Sequence, residues 1–456
     1  MRAERYEHDP VRSRIAESAM AAPHRRALVC DDRALSYAEL LLAIDALASL
    51  FSACGLSRGA RAAVCTRDKM TGLLATLAAG AAGGIAVPLG EGTPIRALES
   101  TLQHAAPAFL VMTAADLQEY PQFRSTPPCP LLVLRGTDAA DPSSWHFLLG
   151  PLRVTQAEAP EGAALLLYAP GPNGERRGAL LSAASLVATS QAAVATCGID
   201  GTSCEFVMAP LHRSFALTRC RAVLFAGGTL LLSSGPLHPA SVVQSVLRHH
   251  VNALSLFPST FESLFAHQES PVQRIAPAIR NVELGSAPML PAQKERYLEL
   301  FPRARVTMPY GLTEAPRSAC LAFGSERAKL GTVGRATPYA EIAVSETGEV
   351  YLNHFAEAMS DIGEAWIAGE RKRQMAEIER RREMVRAVRP QVPRSRWAAS
   401  ARLDASSAPV RTSSARRRAA RPLPHDARRR AASRRPGADP PPGRARSAGR
   451  PHRGSS

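Results

Sequence analysis

Arg305-Val306-Thr307-Met308-Pro309-Tyr310-Gly311-Leu312-Thr313-Glu314 is the stretch from which the fold follows. Its first six residues read as a short strand that runs into a glycine turn, and the turn delivers a hydroxyl and a carboxylate side by side. A Thr beside a Glu at a strand end suits an ATP site. The hydroxyl can donate to a phosphate oxygen, and the carboxylate can hold Mg2+, a hard cation that takes oxygen ligands. On these residues alone the signal is modest, since a strand, a turn and Thr-Glu could equally open a capped helix.

Outward from this stretch the chain keeps one rhythm. Leu28–Cys30 and Ala34–Tyr37 form a hairpin around Asp31-Asp32-Arg33, and Ser36 can cap a helix over Tyr37–Cys54, where apolar residues recur at helical spacing. Strands then alternate with helices: Ala62–Cys65, Met70–Ala82, Ile85–Leu89, Ile95–His104, Ala108–Met112. The alternation resumes through Ala164–Tyr168, Ala184–Cys197, Glu205–Met208, Phe215–Ala226, Gly228–Leu232, Pro239–His249 and Ala253–Phe257. Thr260–His267, Pro291–Phe301 and Ala304–Met308 continue it, and Glu341–Val344 and Gly348–Leu352 suggest a small β subdomain. The expected class is α/β, with layered, mostly parallel sheets flanked by helices.

At 456 residues the chain exceeds one ordinary core. The formal charge of +16 resides in the tail: residues 371–456 hold 24 Arg and one Lys against six acids, which leaves residues 1–370 at a net −3. The eight cysteines form no Cys-x-x-Cys pair, so buried thiols in a reducing cytoplasm are the expectation. The first residues carry acids and lack an apolar core, so no secretory signal is expected. Thr71–Leu89 is apolar enough to raise a membrane question, but Gly83-Gly84 and Pro88 break it into a buried helix and strand. From Gln391 onward Arg, Ala, Pro, Ser and Gly dominate; such a segment buries too little surface to offset its ordering entropy.

Two further segments bear on chemistry. Tyr168-Ala-Pro-Gly171-Pro-Asn-Gly174-Glu-Arg-Arg177-Gly178 follows a strand and precedes a helix, where converging backbone N–H groups and a basic side chain can hold phosphate. Pro170 and Pro172 remove two of those donors, so a surface turn is an equal reading. Gly285-Ser286-Ala287-Pro288-Met289 consists of small residues, which let a flat base lie against backbone.

Taken in order, these segments resemble the acyl-adenylate-forming superfamily of acyl-CoA synthetases and AMP-dependent ligases. Tyr310–Glu314 matches its Tyr-Gly-x-Thr-Glu signature, and Gly285–Met289 its Gly-Gly-Ala-Pro-Leu turn. Gly171, Gly174 and Gly178 match its phosphate loop, with Arg177 where the family has Lys, although the loop's hydroxyl residues are absent. Pro210–Leu217 occupies the place of a Pro-Leu-Phe-His segment, with His212 and Arg213 one step out of the usual pairing. Gly331–Arg335 and Gly348–Tyr351 also recur in the family, and the resemblance covers roughly residues 24–355.

The resemblance implies that Tyr310 stacks on adenine, with Gly285, Ser286, Ala287 and Gly311 around the base. It implies that Thr313 binds the α-phosphate and Glu314 the Mg2+. The implied cofactors are ATP and Mg2+, with coenzyme A or a carrier pantetheine as acyl acceptor. The implied partners are a carboxylic acid and an acyl carrier protein, with no membrane span and nucleic acid only through the tail. The expected division is 1–190 and 191–335 as two α/β subdomains, 336–365 as a partial β subdomain, and 366–456 as a charged helix and disordered tail.

Beyond Gly348 the family pattern stops: no Thr-Gly-Asp occurs, and no Lys follows Lys372. The expected chain therefore lacks the C-terminal domain and its catalytic lysine. Its basic tail is either a native polyanion-binding arm or an out-of-frame translation of a GC-rich gene, and the scarcity of Lys favours the second. Activity is expected to be impaired. A non-catalytic binding protein that kept the fold is the alternative.

Overall fold

The structure is a computed structural model that describes residues 9–134, 146–149, 159–170, 176–265, 269–344 and 350–353. Two large sheets dominate. The first has seven strands in the order His146–Leu149, Leu131–Leu134, Phe109–Thr113, Arg61–Val64, Ile85–Pro88, Ala163–Pro170 and Arg176–Ser182. Its interior pairings are parallel and its two outermost antiparallel.

The second sheet has nine strands. A parallel run of Arg305–Tyr310, Asn281–Leu284, Ala253–Leu256, Cys204–Val207, Thr229–Leu232 and Arg26–Cys30 forms its body. Antiparallel strands close both ends: Arg33–Ser36 on one, Ala319–Ala322 and Arg335–Ala336 on the other. Parallel neighbours need crossovers, and the helices between them supply these. A separate two-stranded ribbon pairs Glu341–Val344 with Val350–Asn353.

Side chains on a strand alternate between faces, so each sheet buries both. On the first sheet Ala62 and Val64 face one core, while Ala63 and Cys65 face another. On the second, Leu28, Leu230 and Leu232 share the core with Ala62 and Val64, whereas Val29, Leu231, Leu254 and Leu256 face helices on the far side. Helices Tyr37–Ala53, Lys69–Ala81, Ala183–Cys197 and Ser214–Phe225 contribute to that shared core between the sheets. The layers thus run helix, sheet, helix, sheet, helix, which is the expected α/β class.

Local chemistry sets the element ends. Ser36 caps Tyr37–Ala53: its Oγ accepts from Glu39 N at 3.3 Å, and the Glu39 carboxylate accepts from Ser36 N at 2.8 Å. Thr71–Leu89 resolves into the helix Lys69–Ala81 and the strand Ile85–Pro88, joined by Gly83 at φ +79°. That helix is apolar nearly all round because both flanking layers cover it. Among the described residues no helix is long and apolar enough to cross a membrane.

The N-terminal hairpin joins the second sheet, beside Thr229–Leu232. Arg177 and Gly178, expected in a loop ahead of a helix, belong to a strand that runs antiparallel to Ala169 and Tyr168. Gly171 and Gly174 lie outside the described residues, as do the charged segment 370–388 and the tail.

Candidate functional site

A cavity of about 580 Å3 opens where loops leave the carboxyl ends of the second sheet's parallel strands. Ligands in open α/β sheets bind at such strand ends. Arg305–Tyr310 delivers Tyr310, Gly311, Thr313 and Glu314; Asn281–Leu284 delivers Ser286 and Ala287; Ala253–Leu256 leads to Phe257 and Ser259. The loop after Cys204–Val207 brings His212 and Arg213, and the first sheet adds Leu167, Tyr168 and Ala169.

The structure therefore brings together Tyr310, Gly311, Thr313, Glu314, Ser286 and Ala287 around one cavity. Gly285 lies just behind this lining, pressed on Phe215 so closely that a Cβ there would enter the ring. Phe215 in turn packs obliquely on Phe257, with centroids 6.0 Å apart. Neither Arg177 nor Gly178 reaches the lining; Arg177 is exposed on its strand.

The loop that carries Thr313 and Glu314 is closed at its neck. Leu312 N donates to Ala315 O at 3.0 Å. A side chain on Gly311 would meet Arg317 N at 2.5 Å and Ala315 O at 2.6 Å, so only glycine fits there. The Thr337 hydroxyl donates to Arg317 O at 2.6 Å and secures the far side. Within this loop Glu314 is exposed toward the cavity, and no cation among the described residues pairs with it.

His212 and Tyr168, both in the cavity lining, also have neighbours of their own. His212 packs on Gly90 with Nδ1 3.9 Å from a Glu91 carboxylate oxygen, and Glu91 also pairs with Lys69. Burial raises the Glu91 carboxyl, but Lys69 and then His212 outweigh it and hold the group below its usual range. The Tyr168 hydroxyl lies 2.7 Å from His104 Nδ1, and burial pushes that phenol up.

Sequence reasoning missed the most conspicuous electrostatic feature. Glu205, Arg219, Glu283 and Arg317 are all buried, and Arg317 also lines the cavity. Arg219 donates to both Glu205 oxygens at 2.7 and 2.5 Å, and its third nitrogen lies 2.9 Å from Glu283. Arg317 donates to both Glu283 oxygens at 2.6 Å. Burial would raise the Glu283 carboxyl, yet Arg219 and Arg317 outweigh burial and hold it below its ordinary value. Removing one partner would strand a buried charge, at a cost of about 3–5 kcal/mol. One signal was available: Glu interrupts the apolar strands Cys204–Val207 and Asn281–Leu284, and Arg interrupts the helix Ser214–Phe225.

Comparison with known proteins fits this architecture. A family model described as "AMP-binding enzyme" matches residues 15–376. Feruloyl-CoA synthase from Amycolatopsis sp is 26% identical over 319 residues, which is 69% of this chain and 62% of that protein. The chain thus spans less than two thirds of the length of that relative. ATP-bound MatB from Rhodopseudomonas palustris superposes with a TM-score of 0.63 at 22% identity, covering 75% of this chain and 67% of MatB. The N-terminal domain of FACL13 from Mycobacterium tuberculosis superposes at 0.62 and 18% identity, covering 75% of this chain and 86% of that domain. With the family match spanning most of the sequence and the fold shared with these structures, the chain belongs to the AMP-binding enzyme family.

Proposed function

We propose that the cavity binds ATP and a carboxylic acid and is built to form an acyl-adenylate and pyrophosphate, the acyl group then passing to a thiol of coenzyme A or a carrier pantetheine. The observation that carries this reading is the convergence of Tyr310, Thr313, Glu314 and the Ser286-Ala287 backbone on one cavity. Tyr310 and the small-residue turn would hold the adenine between a ring and backbone. The Thr313 hydroxyl would donate to an α-phosphate oxygen. Glu314, exposed and unpaired among the described residues, offers the hard oxygen that Mg2+ takes alongside phosphate oxygens. Bound Mg2+ would supply charge neutralisation for the phosphates. Phe215 and Phe257 would line the acyl side.

Positioning and charge neutralisation are the main levers in such a reaction. The phosphate-loop segment has prolines at 170 and 172, each lacking a backbone N–H, and this supports reduced activity. The same prolines favour the second reading, a nucleotide-binding or interaction protein without turnover. The division at 190, 335 and 365 and a cytoplasmic setting belong to this proposal. Because a feruloyl-CoA synthase is among the relatives, the test panel includes hydroxycinnamic acids beside fatty acids.

Calorimetric titration of the full chain with Mg·ATP, and again with Glu314→Ala, tests binding. Saturable binding lost in the variant is the expected result, and no binding by the parent chain would sink the nucleotide assignment. ATP–pyrophosphate exchange across the acid panel then separates the ligase, which exchanges slowly with some acid, from the non-catalytic protein, which exchanges with none.

A further inference from the structure

Two walls of the cavity are attached to a single carboxylate. One wall is the helix Ser214–Phe225, which presents Phe215 and Thr218 to the cavity; the other is the loop from Gly311 to Arg317, with Glu314 at its middle. Arg219 projects from the helix and Arg317 from the neck of the loop, and both guanidinium groups meet Glu283 on the strand between them. Glu283 is 2% exposed, so neither contact is weakened by solvent.

We propose that Glu283 is a positioning residue that sets the two walls relative to each other: through Arg317 it fixes the loop carrying Thr313 and Glu314, and through Arg219 the helix carrying the acyl-side residues. The proposal rests on the nucleotide-and-acid reading of the cavity for its functional consequence, and on the contacts alone for its structural one.

The geometry is specific. Arg317 Nη2 straddles both Glu283 oxygens, while its Nη1 donates to Thr196 Oγ1 at 3.1 Å at the end of the helix Ala183–Cys197. Arg219 is anchored independently, by two hydrogen bonds to Glu205, and Glu205 also accepts from the Ser255 hydroxyl at 2.7 Å. Two carboxylates thus balance two guanidinium groups. Buried ion pairs add little stability over apolar side chains of the same size. Their directional bonds do restrict the number of arrangements available, and here that restriction falls on the neck of the loop. Arg317 itself stands at φ +59°, in the left-handed region that non-glycine residues seldom adopt. A shared node also implies coupling: a ligand that orders one wall favours the ordered form of the other, and the effect is reciprocal.

The anchoring is asymmetric, and the test uses this. Hydrogen exchange of the full chain is followed in peptides covering 310–318 and 214–222, alongside Mg·ATP titration. Arg317→Met should speed exchange in 310–318 by about tenfold and leave 214–222 unchanged, because Arg219 then keeps both Glu205 and Glu283. Glu283→Gln should speed both. Arg317→Met should also weaken Mg·ATP by about tenfold, with Arg317→Lys recovering part of the loss. Unchanged exchange in 310–318 on Arg317→Met would overturn the proposal, as would a Glu283→Gln effect confined to one wall. If Glu283→Gln fails to fold, the Arg317 variants still decide. Should the parent chain bind no Mg·ATP, the nucleotide reading falls, while the exchange data continue to decide the role of Glu283.

Discussion

Replacing Gly311 with Ala asks the structure for space that it lacks. The added Cβ would stand 2.5 Å from Arg317 N and 2.6 Å from Ala315 O, whereas ordinary contact begins at 3.4 Å. The neck of the loop must therefore open by about 0.9 Å, the shortfall between those distances. Both obstacles are backbone, so no side-chain rotation relieves them. Arg317 cannot retreat freely either, since its carbonyl is held by Thr337 and its guanidinium by Glu283. Overpacking of this kind costs about 1–3 kcal/mol. Drawn from the geometry that binds nucleotide, that cost lowers the competent population by roughly 5- to 150-fold, at about 1.4 kcal/mol per factor of ten. Calorimetric titration with Mg·ATP reads the affinity, and urea unfolding of the same protein reads the stability. The affinity loss should equal or exceed the loss in global stability, because the strain is local. A Gly311→Ala chain that binds Mg·ATP within twofold of the parent would refute the closed-neck argument.

Two further outcomes test the scaffold. Ser36→Ala removes the cap of Tyr37–Ala53 and should cost about 1 kcal/mol in urea unfolding, with unchanged Mg·ATP affinity because the cap lies outside the cavity lining. Lys294 donates Nζ to Leu330 O at 2.7 Å and Thr332 O at 3.3 Å, and burial pulls it down to about 8. Its folded pKa lies below its unfolded value, so between about pH 8 and pH 10 the unfolded chain binds more protons there. Stability of the parent should then rise with pH relative to Lys294→Met, by on the order of 1 kcal/mol per pH unit. Parallel stability curves for the two chains would show that Lys294 titrates normally.

How much of this was legible beforehand depends on what each position answers to. Elements governed by local pattern were readable: Pro239–His249 and Glu341–Val344 have the expected bounds, and Ser36 caps the helix that follows it. Tyr310–Glu314 was readable because a strand end, a glycine and two oxygen donors are contiguous. Partners brought together over distance were not readable. Nothing near Leu28 says that it pairs with Leu230, and Arg177 read as a loop residue because its strand partner Ala169 lies across the hairpin. The helix Pro10–Ala21 was overlooked because its charges mask a narrow apolar stripe of Val11, Ile15 and Ala19. Glu283 is the extreme case. A carboxylate in mid-strand looks like a solvent-facing residue until the two arginines, 64 residues before it and 34 after it, are seen to converge on it.

The hairpin at the edge of the nine-stranded sheet has a consequence during synthesis. Arg26–Cys30 finds its parallel partner only in Thr229–Leu232. Some two hundred residues must therefore leave the ribosome before the apolar strand Ala27–Cys30 can be covered on that side. Contacts so distant in sequence slow folding and prolong exposure of sticky edges. The seven-stranded sheet, whose strands lie between Arg61 and Ser182, can form meanwhile. The nascent chain would thus carry the seven-stranded layer and an N-terminal hairpin whose Arg26–Cys30 edge is still open, a period in which chaperone binding to residues near 26–36 is most useful.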